Sequence, residues 1–360
     1  MNRHRKSQYA NHHPTARGIS PLAGCWLVFL FLLCHDVTVF AQSLTSMVDA
    51  TLPLATRRNI VLNNTAIFKR LEEFTFHNPG TPTAKPYNVW NEMNGDIVDR
   101  NDDSDIYGYN LQTLGSSFGG EMRAYSDFVI GANMGLFQPN LTSNDQFSRA
   151  KGSLMMLSVH SAWFTDYWSV KSMIGYGYGD YNAERLDTKS TTYGLGNRQQ
   201  NSFFAAAEVA RRFRYRDFWF IPSYTFNYVH TDGRSYSERG LNDDKFTFNR
   251  QISSGYLHTL AIELELDYYH DFHDSQYLIT PSIRAAWVHD ASSKTITSTG
   301  NNGDTTFSVN GARIIPNILQ LGAGLTINVE PKYLLFCRYD TEISDKTNTH
   351  HLSAGYGVFW

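Results

Sequence analysis

From Tyr87 to Trp360 the sequence keeps a period of two, and that period constrains the fold more than any other feature. In "LHTLAIELELDYY", His258, Leu260, Ile262, Leu264, Leu266 and Tyr268 alternate with Thr259, Ala261, Glu263, Glu265 and Asp267. In "ILQLGAGLTINV", Leu319, Leu321, Ala323, Leu325, Ile327 and Val329 alternate with Gln320, Gly322, Gly324, Thr326 and Asn328. Neighbouring residues of a strand point to opposite faces, so each segment has one apolar side and one polar or small side. About twelve segments read this way, near 87–98, 107–123, 126–137, 151–163, 167–181, 201–213, 218–230, 255–269, 276–289, 316–329, 332–341 and 348–360. Most exceed the ~5–6 residues of a soluble strand and suit a tilted membrane crossing of ~9–11 residues with a rim.

Connection length points the same way. Short turns at Tyr125 to Asp127, "FTDY", "RYRD", "HDFHDS" and "EPK" interleave with long polar loops near 99–106, 138–150, 182–200, 231–254 and 290–315. Short turns on one side, long loops on the other and an even strand number mark a bacterial outer-membrane barrel. A soluble sandwich or propeller also alternates, but aims its apolar face at another sheet. Here aromatic residues gather at segment ends, as in "WFTDYW" and "RDFWF", and the opposite faces carry Gly, Ser, Thr, Asn and charge. That pattern favours lipid outside and a polar lumen within. A formal net charge of -3 leaves no basic footprint for nucleic acid. No run after about residue 41 reaches the ~20 apolar residues of a helical span.

Residues 1–41 read as a signal peptide: Arg3, Arg5, Lys6 and Arg17 precede "GCWLVFLFLLC", and "VFA" ending at Ala41 forms a cleavage site. Cys25 and Cys34 lie there, so removal leaves Cys337 alone and no intramolecular disulfide. Residues 42–85 form a short N-terminal segment. Its helix is expected over 46–74, with Leu54, Ile60, Leu62, Ile67 and Leu71 near helical spacing, and "HNPGTPTAKP" ends it with Pro79, Gly80, Pro82 and Pro86. The barrel is expected over 86–360.

The stretch "YGYNLQTLGSSFGGEMRAYSDFVIGANMGLF" resembles the start of the autotransporter (type V secretion) β-domain. Gly115, Gly119, Gly120, Glu121, Arg123, Gly131 and Gly135 carry the likeness: a Gly-rich strand, an acidic residue and Arg, a tight turn, then an "xxxIGxxxG" strand. Glu121 stands where the family more often has Asp. The likeness runs from about Ser46 to Trp360. It implies an all-β fold, a twelve-stranded antiparallel transmembrane β-barrel in the bacterial outer membrane, with an N-terminal α-helix threaded through the lumen. The last strand, with Tyr356, Val358 and Trp360 on its apolar face, resembles the signal read by the barrel-assembly machinery. That machinery, periplasmic chaperones and outer-membrane lipid are the partners the resemblance implies for a monomeric barrel. Family members usually carry a long passenger before the helix; here almost nothing stands between Gln42 and the helix, so little or no passenger is expected.

"IVLNNTAIFKRLEEF" is similar to the segment where some autotransporters cut themselves between adjacent asparagines. There the side-chain amide of Asn63 would attack its own carbonyl carbon ahead of Asn64, with barrel carboxylates holding it. By alternation Glu121, Glu208, Glu263 and Glu265 face the lumen with Arg123, Lys171, Arg284 and Arg338. The plainer role expected for these charges is to solvate the lumen and pair with Arg57, Arg58 or Lys69 of an inserted helix. His270, Asp271, His273 and Asp274 cluster at a short turn with no zinc-site spacing, so no metal or cofactor is expected. His350 and His351 are expected as an exposed pair in the loop before the last strand. Gly175, Gly177 and Gly179 are expected to leave room for the helix. The function expected is a non-enzymatic translocator for secretion or surface display. The alternatives are a small-solute pore, with the helix outside or mobile, and a barrel hydrolase or protease, for which no convergent rim constellation is found.

Overall fold

The computed structural model describes residues 47–76, 86–103, 106–187, 192–240, 245–272, 275–292, 295–329 and 332–360. The expected signal peptide, the Pro/Gly linker over 77–85, and His273 and Asp274 lie outside the described residues, as do the side chains of His270 and Asp271.

One helix, α1 (Met47–Phe76), precedes the strands. They run β1 (Tyr87–Arg100), β2 (Tyr109–Tyr125), β3 (Phe128–Ser143), β4 (Ser148–Phe164), β5 (Trp168–Leu186), β6 (Tyr193–Arg211), β7 (Phe213–Tyr215), β8 (Phe218–Gly233) and β9 (Tyr236–Ser237). There follow β10 (Phe246–Phe248), β11 (Gln251–Leu266), β12 (Tyr268–Phe272), β13 (Ser275–Asp290), β14 (Thr297–Asn302), β15 (Thr305–Asn310), β16 (Asn317–Val329), β17 (Tyr333–Ile343) and β18 (Thr347–Phe359).

Twelve long strands close into an antiparallel barrel, as expected. β7 and β12 extend β6 and β11 at the short-turn end. Closure joins first strand to last: Asn88 pairs with Phe359 and Arg100 with Thr347. The join is completed by Tyr87 N–H to Trp360 O at 3.2 Å and Trp360 N–H to Tyr87 O at 3.1 Å. A closed sheet leaves no backbone group unpaired in hydrocarbon, where each would cost several kcal/mol.

The alternation sorts as lipid outside, polar inside. Leu114, Met93, Ile283 and Val159 are exposed on the outer face, whereas Asn88, Glu92, Ser117, Gln200 and Glu265 are buried within. Tyr87 and Trp360 stack on the outer rim with centroids 6.1 Å apart. Cys337 is exposed and shares the outward parity of Leu335 and Tyr339.

Three expectations need correction. The strands run further than the period suggests, so 138–150 and 182–200 are mostly strand, because paired polar residues continue the ladder beyond the membrane. His350 and His351 are not a loop pair: both belong to β18 and point opposite ways. His350 stacks outside on Tyr339, while His351 is buried beside Asn94. Finally, Phe204 fills the space over Gly175 and Tyr181 that over Gly179. The glycines that admit the helix are others: Gly135 beside Asn63, Gly255 beside Arg57 and Gly311 against Ala50.

Candidate functional site: the helix in the lumen

α1 has 30 residues, which at 1.5 Å per residue makes it about 45 Å long. It is buried on every side but one, where Arg58, Val61, Leu62 and Thr65 are half-buried. A helix with charges all round can be buried only where the surroundings supply partners. It lies against β2 to β6 and β8. On the other side remains a cavity of about 170 Å³, lined among others by Arg58, Val61, Leu62, Thr65, Arg284 and Arg338. No helix among the described residues is long and apolar enough to cross a membrane; the crossing is made by strands.

The helix runs from the long-loop end of the barrel to the short-turn end, and each level is pinned by charge. At the top Arg198 pairs with Asp49, its Nη2 donating to Oδ2 at 2.8 Å and its Nε lying 2.8 Å from Oδ1. Arg57 pairs with Asp290 at 2.5 Å, and Arg58 with Asp96 and Glu342 at 2.6 Å. Lower down Lys69 reaches Glu263 at 2.9 Å and Glu265 at 2.7 Å. Glu72 meets Lys171 at 3.4 Å and Arg212 at 3.1 Å. Arg70 pairs with Glu73 and lies 3.2 Å from the Phe336 ring centroid, while Thr326 donates to Glu73 at 3.1 Å. Apolar contacts fill between: Ile60, Ile67, Phe68, Leu71 and Phe74 pack on wall residues, and Phe74 stacks on Phe359 at 5.9 Å.

Of the residues singled out in the sequence, Glu263 and Glu265 meet the helix directly, and Glu208 does so through Lys171 at 2.7 Å. Arg284 binds Gln320 at 2.5 Å across neighbouring strands. Glu121 lies apart from the helix charges, accepting from Asn88 at 2.8 Å and Trp90 at 2.5 Å, with His160 Nε2 at 3.2 Å. Arg123 sits at the short-turn rim beside a bulge, donates to the Phe74 carbonyl at 3.4 Å and covers the Phe74 and Phe164 rings. Tyr356 and Val358 share the outer face of β18, and the exposed Trp360 follows it with the same parity.

Asn63 Oδ1 accepts from Ser117 at 2.8 Å, and its amide nitrogen is buried without an acceptor. Asn64 donates to Asn227 at 3.0 Å. Among the described residues no carboxylate hydrogen-bonds Asn63. Asp49, Arg70 and Glu72 of the helix, and on the wall Arg198, Arg212 and the Arg57 partner Asp290, are not singled out by the sequence. Their signal was present as charge on every face of one helix, together with inward parity on the strands.

A closed barrel with lipid outside and its own N-terminal helix in a charged lumen defines an outer-membrane translocator-type barrel. The chain belongs to the autotransporter family, whose β-domain model matches residues 89–340. The fold is similar to the translocator domain of autotransporter NalP from Neisseria meningitidis, with a TM-score of 0.67 and 12% identity, covering 86% of this chain and 99% of that one. It is also similar to the β-domain of the Bordetella autotransporter BrkA, with a TM-score of 0.60 and 15% identity, covering 76% of this chain and 100% of that one. In sequence it is 19% identical over 263 residues to the probable outer membrane protein pmp18 of Chlamydia pneumoniae, which is 72% of this chain and 27% of that protein. The bacterial outer membrane is its location. Neither the open pore nor the hydrolase is favoured by these relatives.

Proposed function

We propose that this barrel delivers the chain ahead of α1 to the cell surface and then keeps α1 in its lumen as plug and tether. The direction of α1 carries the reading: its N-terminus lies at the long-loop end, which faces outward in such barrels, and its C-terminus at the end where β1 begins. Several buried ion pairs hold the helix at once, and removing one partner of any of them leaves an uncompensated buried charge at a cost of about 3–5 kcal/mol. Assembly uses the last strand: Trp360 and its outward companions are the feature by which the barrel-assembly machinery and periplasmic chaperones would recognise a monomeric substrate.

The test places an epitope directly ahead of Met47 and probes intact cells, while the purified barrel is measured in planar bilayers with and without residues 47–76. Surface-accessible epitope, low conductance of the whole chain and a sharp rise on deletion are expected. A buried epitope, or conductance that ignores the deletion, would sink the proposal. Intact mass from outer membranes reads the remaining alternative: a new N-terminus at Asn64 would make Asn63 a self-cleavage residue and end the tether role.

A further inference from the structure

The longest loops do not lie loose over the barrel mouth. β9, β10, β14 and β15 form a separate four-stranded sheet in the order β15, β14, β10, β9. It carries a ring cluster in which Tyr236 stacks on Phe248 at 4.9 Å and Phe307 meets Phe246 at 4.9 Å and Phe248 at 5.5 Å. Under this sheet lie the first turns of α1. Ser298 of β14 donates to Asp49 Oδ2 at 2.5 Å, the same oxygen that accepts from Arg198 Nη2. Ala312 N–H donates to Thr51 Oγ1 at 3.3 Å. Gly311 lies so close to the helix that a Cβ there would stand 2.6 Å from the Ala50 carbonyl oxygen. Val48, Leu52 and Ala55 of the helix share one apolar cluster with Ile296, Ala312 and Ile314 of the cap.

The helix therefore contributes much of what the cap rests on. With the helix gone, Arg198 and Ser298 lose the Asp49 carboxylate, and Ile296, Ala312 and Ile314 face an empty lumen. Without Asp49 the Arg198 guanidinium keeps, among the described residues, only the Asn249 carbonyl as acceptor, so closing the cap over it would bury an uncompensated charge, which is strongly disfavoured. A sheet with strands of two to six residues has little of its own to offset that loss. We propose that the cap is a latch that closes only on the seated helix: the loops stand open while chain moves through, and they fold shut when Asp49 reaches Arg198 and Ser298. This rests on the reading of the barrel as a translocator and adds the event that ends translocation and seals the mouth.

The test uses the full chain with Cys25, Cys34 and Cys337 replaced by Ser and a single thiol introduced by Ala312→Cys, on the underside of the cap where Ala312 is 0% exposed. A membrane-impermeant maleimide is added to intact cells, and conductance is recorded in parallel on the purified protein. The thiol should be protected in this background and should react at least about tenfold faster after Asp49→Asn, as loss of a charge-assisted pair implies. Gly311→Val lifts the cap off the Ala50 carbonyl without touching a charge and should do the same. Low conductance in both variants is expected, since the lower ion pairs still hold the helix. Slow labelling in both variants would overturn the latch and leave the translocator reading standing. Fast labelling before either substitution would also overturn it. High conductance before either substitution would instead overturn the plugged barrel itself.

Discussion

Lys69→Met tests the seating of the helix most directly. The side chain of Lys69 is 8% exposed and its ammonium donates to Glu263 and Glu265, whose side chains are 9% and 1% exposed. Methionine keeps an unbranched apolar stem and removes the charge. Glu263 then keeps Arg338 at 3.0 Å and Glu265 keeps Arg212 at 3.1 Å, but Arg212 is shared with Glu72. Breaking a buried pair costs about 3–5 kcal/mol, and the two surviving arginine contacts place this case near the lower end, about 3 kcal/mol. At 1.36 kcal/mol per tenfold, the ratio of unseated to seated helix should rise about a hundredfold. Single-channel recording reads that ratio as the fraction of time spent in a high-conductance state. Lys69→Met combined with Glu265→Gln removes the surplus carboxylate and should recover much of the loss, because the two residues are coupled. An unchanged open fraction in the single variant, or a double variant worse than the single, would refute the claim that this ion pair seats the helix.

Further outcomes follow from the same geometry. Trp360→Ser removes the stacking partner of Tyr87 at the seam and should lower the amount of barrel assembled in the outer membrane; normal assembly would remove the role given to the last strand. Cys337 faces lipid, so a water-soluble thiol reagent should leave it unmodified in intact barrels while a lipid-soluble one reacts; rapid labelling from water would overturn the register of β17. Burial within the cap, with the Asp49 carboxylate nearby, pushes the Tyr236 phenol well above its ordinary value. Its neutral form therefore supports the cap fully below pH ~10, and that support is lost as pH rises through the folded value. Protection of a thiol at position 312 should fall away on that alkaline side and persist to higher pH after Tyr236→Phe; an identical pH profile in the two proteins would count against it.

The barrel was legible in the sequence because a single rule, the period of two, applies to every strand and is read in lipid rather than against a second sheet. Leu260, Ile262 and Leu264 had to face outward, and Glu263 and Glu265 inward, whatever the details of closure. Charge pairing across the lumen was legible only in kind, since parity fixes direction but not which inward groups meet: Lys69 meets Glu265, while Glu208 meets Lys171. The cap was not legible at all. Its strands are short, and their Thr, Asn and Gly content reads as loop. The one local signal was "NNGD" between "TSTG" and "TTFSVN", where Gly303, with φ of 57°, makes the tight turn between β14 and β15. The inward aromatics Phe246 and Phe248 acquire meaning only once the helix lies beneath them.

Height is what the ion pairs specify and the apolar contacts do not. Down the helix the signs run negative at Asp49, positive at Arg57 and Arg58, positive at Lys69 and Arg70, then negative at Glu72 and Glu73. The wall answers with Arg198, then Asp290, Asp96 and Glu342, then Glu263 and Glu265, then Lys171 and Arg212. Sliding the helix one turn, about 5.4 Å, toward the short-turn end would carry Lys69 and Arg70 toward Lys171 and Arg212 and draw Asp49 away from Arg198. Contacts such as Leu71 and Phe74 against the wall are non-directional and would be re-formed after such a slip. The ion pairs would not, because Lys69 and Arg70 would be buried against their own sign and Asp49 would be drawn off Arg198. A polar helix in a polar lumen is therefore held at one depth, and that depth is the one at which the cap can close.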